Sequence, residues 1–297
     1  MPFTARKEFR NRVLAQKTAW AAGAYDALSA RFIQGAGFDA LLTSGFGVSA
    51  SLLGMPDAEL YTMTENVGVV RNVTSVVDIP VVADIDTAYG NAINVMRTIR
   101  EFEAAGVAAV IMEDQVAPKR CPILASGVET IPLEEAIGKI RAAVEARRDP
   151  DMLIIARTDV ATEAEAISRA NAYVAAGADV IQPISRTFSS IDGLRALRQA
   201  CGVPLSLQIL GWLEKSLSPA EIESVAGIAT FPLVPLMSVS AVLQENLAVL
   251  AREKTTKNLP RQVMTHDPFV EFIGFKEIEN LQLKYLPAAS AKTPEAA

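Results

Sequence analysis

Charged and polar side chains gather behind short apolar runs in this 297-residue chain: Thr43-Ser44-Gly45 after Ala40-Leu41-Leu42, Asp84-Ile85-Asp86 after Val81-Val82, Glu113-Asp114 after Ala109-Val110-Ile111, and Arg157-Thr158-Asp159 after Leu153-Ile154-Ile155. Taken singly, an acid behind a strand reads as a helix cap or a loop residue. Several acid-tipped runs at one rim are different, because crowded carboxylates raise one another's pKa or demand a counter-ion. A hard divalent cation meets that demand. Oxygen-only donors suit Mg2+ or Mn2+ better than Zn2+, and no His or Cys pair stands at zinc spacing. The stretch Pro118-Lys119-Arg120-Cys121-Pro122 adds two cations and a thiol. Neighbouring positive charge lowers a thiol's pKa, so Cys121 can serve as an acid or a nucleophile.

The elements that would position these groups follow a rhythm. Helix-like segments end in a small residue and Gly, and an apolar strand follows: Ala36-Gly37, Ala105-Gly106, Ala176-Gly177 and Ala226-Gly227. Gly ends a helix cheaply because it accepts the left-handed conformation. Between these lie strands announced by proline, at Ile79-Pro80, Asp149-Pro150 and Val203-Pro204, where the ring stops the preceding helix. Trp20-Ala21-Ala22-Gly23 supplies a first strand. The runs lack polar alternation, as parallel strands covered by helices must. Helical periodicity fills the gaps, with Val95, Ile99 and Phe102 in one and Leu133, Ile137, Ile140 and Val144 in another. Eight such units predict an α/β fold, a single (β/α)8 TIM barrel with a core over about 17–252. Val234 to Arg252 reads as the last barrel helix, Glu253 to Thr265 as a polar connection, and Asp267-Pro268 as the N-cap and first turn of one further helix carrying Phe269, Phe272, Phe275 and Ile278. That extension, 253–286, is expected to pack on a neighbouring subunit, and 287–297 to be a frayed tail.

Composition removes several function classes. With 28 basic and 34 acidic residues the net charge is −6 and no basic track stands out, which argues against nucleic acid. No apolar run is expected to reach the ~20 residues of a membrane span. The start shows no signal core, and two cysteines, Cys121 and Cys201, fit a reducing cytoplasm better than a disulfide framework. Gly45-Phe46-Gly47-Val48-Ser49-Ala50 matches a dinucleotide fingerprint, but the irregular stretch from Met55-Pro56-Asp57 does not continue a nucleotide-binding unit, so these glycines read as close backbone approach to a small anion. The one histidine, His266, lies far along the chain from the rim and reads as a surface or capping residue.

These stretches together with Ala24-Tyr25-Asp26-Ala27-Leu28-Ser29-Ala30, Pro56-Asp57, Thr87-Ala88-Tyr89-Gly90-Asn91 and Gln115 resemble the isocitrate lyase and phosphoenolpyruvate mutase superfamily, from about residue 8 to 250. Within it the likeness is greatest to methylisocitrate lyases and carboxyphosphonoenolpyruvate mutases. The resemblance implies Mg2+ near Asp84, Asp86 and Glu113, partly through water. It places Tyr25, Ser44, Gly45, Phe46, Asp57, Arg157 and Gln208 around a small anionic substrate, and gives catalytic roles to Lys119, Arg120, Cys121 and Arg157. It also implies a homotetramer, a dimer of dimers that exchange the eighth helix.

Departures from that pattern bear on the substrate. Pro122-Ile123 follow Cys121 where the lyases have Gly-His; Ile184-Ser185 stand where a glutamate is usual, Gln208 where asparagine is, Met237 where arginine is, and Leu42 where an aromatic or His is common. These are groups that hold the second carboxylate of isocitrate-like substrates. Retention of Cys121 tilts the expectation toward a lyase that cleaves a carbon–carbon bond in a small 2-hydroxy or 2-oxo (di)carboxylic acid through an enolate-like intermediate, releasing a pyruvate- or glyoxylate-like acid. A phosphonomutase, an oxaloacetate decarboxylase and a noncatalytic ligand-binding homologue remain alternatives, and the general base stays open among Tyr25, Tyr89 and a metal-bound water.

Overall fold

In a computed structural model that describes residues 3–120 and 128–287, the apolar runs become eight parallel strands. They are β1 (Ala19–Ala24), β2 (Ala40–Thr43), β3 (Val81–Asp84), β4 (Ala109–Glu113), β5 (Leu153–Thr158), β6 (Val180–Pro183), β7 (Leu205–Gln208) and β8 (Ala226–Phe231). Each pairs with the next, and β8 returns to β1 with Ala19 opposite Ile228, so the sheet closes into the expected barrel. Alternate residues of each strand face opposite sides. One set, including Ala21, Leu42, Val82, Ile111, Ile155 and Ile228, fills the interior. The other, including Ala83, Val110, Met112, Ile154 and Ile181, packs under the helices.

The chain's contacts divide into two compact units, Met1–Ser238 and Val239–Ala297. Within the first, the basic amino-terminal stretch forms a helix, Phe3–Leu14, and its Phe9 and Val13 join the interior set. That helix explains Gly227. The sequence reads Ala226-Gly227 as a helix end, whereas both residues begin β8, and a Cβ on residue 227 would lie 2.8 Å from the Val13 carbonyl oxygen. Gly37, Gly106 and Gly177 do terminate helices, with φ of 86°, 94° and 107°.

Gly23 is the tightest point in the barrel. A Cβ there would sit 1.9 Å from the Pro232 carbonyl oxygen, a backbone atom that cannot swing away. Gly23→Ala is expected to lower stability by about 3 kcal/mol through overpacking. Gly68→Ala, in the helix Met63–Thr74 with open space around it, is expected to be neutral or stabilising by about 0.5 kcal/mol. Urea denaturation of the two variants checks this contrast.

The amino-terminal helix is tied down by Arg6, which donates to the Val107 and Glu103 carbonyl oxygens at 2.7 and 2.9 Å and pairs with Asp149 at 2.8 Å. Burial alone would raise the Asp149 carboxyl, but hydrogen bonds from Arg6 and the Asp151 N–H, with the charges of Arg6 and Arg147, hold it below the usual range. A depressed folded-state pKa contributes stability above the unfolded value of about 3.9, and that contribution is lost as pH falls through the folded pKa. Asp149→Asn is therefore expected to be less stable near neutrality and to show a shallower fall in urea midpoint below about pH 4.

The second unit is helical. It holds most of the helix Val234–Glu253, then His266–Ile273 and Phe275–Tyr285. The extension is two helices rather than one, because Gly274 adopts φ 88° and breaks it; the N-cap is Thr265, with Asp267 inside the first turn. Helix Val234–Glu253 runs 20 residues with a mean hydropathy of 1.4, long and apolar enough to cross a bilayer, contrary to the expectation that no apolar run reaches that length. Polar residues interrupt it all the same. Asn246 exchanges two 3.0 Å hydrogen bonds with the Arg261 backbone, and Glu245 pairs with Arg261 at 2.8 Å. Leu243 and Leu247 stand exposed.

Candidate active site

Parallel strands deliver their carboxyl ends to one rim, where barrel enzymes build their sites. At the end of β2, Ser44 caps a helix the sequence reading did not foresee, Gly45–Leu53, its Oγ accepting from the Gly47 N–H at 3.4 Å. The apolar composition of Phe46–Leu53 masks the helical start that Ser44 provides. Gly45 is required for space: a Cβ would lie 3.0 Å from the Tyr61 hydroxyl and 3.1 Å from both Asp84 Oδ2 and Asp86 Oδ1.

The loop after β3 is tightly wound. Asp86, Ala88 and Tyr89 all have left-handed φ, at 52°, 64° and 60°. Such non-glycine residues are strained and persist where the surroundings over-determine them. Here the Asp86 N–H donates to Asp84 Oδ1 at 3.1 Å, the Gly45 N–H to Asp84 Oδ2 at 3.3 Å, and Asn66 Nδ2 to the Asp84 carbonyl oxygen at 2.9 Å and the Tyr89 hydroxyl at 2.8 Å.

At the end of β4, Glu113 faces the rim and Asp114 faces away. Asp114 accepts from Thr158 Oγ1, the Tyr173 hydroxyl, the Asp159 N–H and Arg169, at 2.7 to 3.2 Å, and so locks β4 and β5 to the helix Glu163–Ala175. It is thus a framework residue, as strand alternation requires. Arg157 pairs with Glu113 and Asp159, both at 3.0 Å. Lys119, only 3 % exposed, turns its ammonium inward to Asp57 at 3.0 Å and to Asp86. Its neighbour Arg120 is exposed. Cys121 lies outside the described residues.

Five carboxylates, of Asp57, Asp84, Asp86, Glu113 and Asp159, thus face two cations, Lys119 and Arg157. Burial pushes the Glu113 and Asp86 carboxyls upward, against the pull of Arg157 and Lys119 on Glu113 and of Lys119 on Asp86. Burial pulls Lys119 and Arg157 down, but the surrounding acids outweigh it and hold both charged. Burial, then the charge of Asp86, raises Tyr61 and Tyr89 far above neutrality, so both phenols keep their protons.

Asp57 Oδ1 and Asp86 Oδ1 meet only the Lys119 ammonium and Glu113 Oε2 only Arg157, while Glu113 Oε1 is buried without a partner. Among the described residues no three acid, His or Cys side chains are spaced to ligate one ion directly. Five acids against two cations, with Glu113 Oε1 unpartnered, fit a hard cation that keeps most of its water and takes one or two carboxylates, the habit of Mg2+.

Beside them opens a cavity of about 360 Å³. Ser44, Asp57, Asp84 and Arg157 line it together with the apolar Leu42, Phe46, Ile184, Leu210 and Leu233. Gln182 and Gln208 are joined by a 3.3 Å hydrogen bond, with Ser206 Oγ also donating to Gln182 Oε1 at 2.8 Å and Gln208 Oε1 buried without a partner. Tyr25 is half-buried and not among the lining residues, and Met237 is replaced there by Leu233. Gln182, Arg186 and Leu210 escaped the sequence reading; an amide inside the apolar run Val180-Ile181-Gln182 was the available signal.

Comparison with known proteins agrees with this geometry. The profile of the phosphoenolpyruvate phosphomutase family matches residues 9–250. The chain is 37% identical over 286 residues to 2,3-dimethylmalate lyase of Eubacterium barkeri, covering 95% of this chain and 98% of that one. It is 34% identical over 286 residues to 2-methylisocitrate lyase of Shewanella oneidensis, covering 94% and 97%. The crystal structure of phosphonopyruvate hydrolase in complex with oxalate and Mg2+ superimposes with a TM-score of 0.84 at 31% identity, covering 95% of this chain and all of that one. The acid rim, the barrel that carries it and these full-length likenesses together make the chain a member of the phosphoenolpyruvate mutase and isocitrate lyase superfamily, an enzyme of the carbon–carbon lyase type.

Proposed function

We propose that this enzyme is a Mg2+-dependent lyase that cleaves a carbon–carbon bond in a small 2-hydroxy or 2-oxo diacid whose outer portion is alkyl-substituted, releasing a pyruvate- or glyoxylate-like acid. The observation that carries this reading is the mixed lining of the cavity, in which Ser44, Asp84 and Arg157 are accompanied by the apolar Leu42, Phe46, Leu210 and Leu233. A carboxylate is held by the charge of Arg157, whereas an alkyl branch loses water against the apolar lining, worth about 0.8 kcal/mol per buried methylene. The 2,3-dimethylmalate lyase likeness supports the same class.

Mg2+, held near Asp84, Asp86 and Glu113, would supply Lewis-acid stabilisation of negative charge on an enolate-like oxygen. Arg157 adds a fixed cation there, oriented by Glu113 and Asp159. Ser44 and the Gln208 Oε1 acceptor orient the substrate's polar groups. Tyr89 and Tyr61 hold their protons and act as hydrogen-bonding walls rather than bases. Cys121 is the proposed acid that quenches the carbanion of the departing fragment, and the exposed apolar helix residues are proposed to pack on a second copy in a homotetramer.

The test is a product assay with 2,3-dimethylmalate, 2-methylisocitrate, oxaloacetate and phosphonopyruvate, each with Mg2+ or with a chelator. Metal-dependent pyruvate release from the alkylated diacid, with little from the tricarboxylate, is the expected result. Turnover of phosphonopyruvate alone would overturn the lyase reading in favour of phosphorus–carbon chemistry.

A further inference from the structure

Glu59 lies in the connection between the helices Gly45–Leu53 and Met63–Thr74, half-buried, with a left-handed φ of 54°. Glutamate gains nothing by itself from that conformation, so the surroundings must hold it there. They do so through both carboxylate oxygens. One accepts from Thr87 Oγ1 and the other from the Lys119 N–H at 2.8 Å. Thr87 is flanked by the left-handed Asp86 and Ala88, and its carbonyl oxygen accepts from Lys139 Nζ at 2.5 Å. One side chain therefore joins three rim loops: its own, the loop after β3 that bears Asp86, and the loop after β4 that bears Lys119.

The Lys119 ammonium ends between Asp57 and Asp86. Asp57 sits two residues before Glu59, and Asp86 one residue before Thr87. Both anions that receive the ammonium are thus in loops that Glu59 anchors, and the backbone that supplies the ammonium is anchored by the same carboxylate. We propose that Glu59 is a positioning residue, which sets how far Lys119 reaches into the acid rim and so fixes the charge arrangement that the reaction uses. Its catalytic consequence rests on the function proposed above; its structural consequence does not.

Amine labelling separates the two. Brief reductive methylation of the native full-length protein, read by mass spectrometry at each lysine, reports how often an ammonium leaves its buried site. Lys119 and Lys139 are 3 % and 4 % exposed and should both label slowly in the parent. In Glu59→Ala, Lys119 is expected to label about tenfold faster, the low end of what losing a charged hydrogen bond allows. Lys139, which bonds the Thr87 carbonyl in a loop that Glu59 also anchors, should rise clearly less than Lys119. Glu59→Gln keeps one acceptor for the Lys119 N–H and should recover most of the protection. On a turned-over acid, Glu59→Ala should lower kcat more than it raises KM, with Glu59→Gln in between.

Unchanged labelling of Lys119 in Glu59→Ala overturns the proposal, and so does a parallel rise at Lys139, which would mean general loosening. A selective rise at Lys119 without turnover of any acid in the panel upholds the positioning role and instead refutes the lyase assignment.

Discussion

Arg157→Met is expected to lower kcat/KM by about a thousandfold, the scale for removing one preorganised electrostatic donor. The guanidinium is fixed by Glu113 and Asp159 before any ligand arrives, so it has little to reorganise as charge develops. Arg157→Lys should rescue only a small part. A lysine ammonium is a point charge on a flexible stem and cannot hold both carboxylates and the substrate in one planar fork. Steady-state kinetics of the two variants check this, with circular dichroism to confirm that each is folded. Near-parent activity in Arg157→Met would remove this residue from the chemistry.

Lys119→Met carries the second large effect, and it appears in stability as well as rate. The substitution strips the cation from Asp57 and Asp86, leaving buried carboxylates without compensation at a cost of about 3–5 kcal/mol. Burial already raises Asp86, with Asp84 and Asp57 adding to it and Lys119 resisting, so the variant should push it higher still. A carboxyl raised above its unfolded value binds more protons in the folded state. Stability of metal-free Lys119→Met should therefore fall as pH rises from about 4 until the folded pKa is passed. Added Mg2+ should narrow the gap to the parent, since a divalent ion meets the same excess of acid. Thermal melts across pH, with and without Mg2+, give the measurement. A variant as stable as the parent at pH 8 without metal would show that the acid rim needs no counter-ion.

Much of this architecture was legible in the chain because barrel strands are uniform and their punctuation is local. Glycines at left-handed helix ends and prolines before strands reveal β2 to β7 without reference to anything distant. Gly227 misled for the same reason: its cause is Val13, more than two hundred residues away, and close approach leaves no local mark. Asp84, Asp86, Glu113 and Arg157 could be read because they terminate strands. Asp114 looked like one of them, yet the strand's alternation turns it outward to Tyr173 and Arg169. Glu59 was invisible, since it is defined by loops that meet only in the folded barrel, while Gln182 left only the faint mark of an amide in an apolar run. The split at Gly274 was readable in principle, but the aromatic spacing from Phe269 to Ile278 suggested an unbroken helix.

The layer of inward side chains beneath Gln182 and Gln208, continued by Phe9 and Val13, packs the barrel interior below the cavity. For the proposed cleavage, that packed floor closes the way through the barrel, and both fragments return past the rim that admitted their parent.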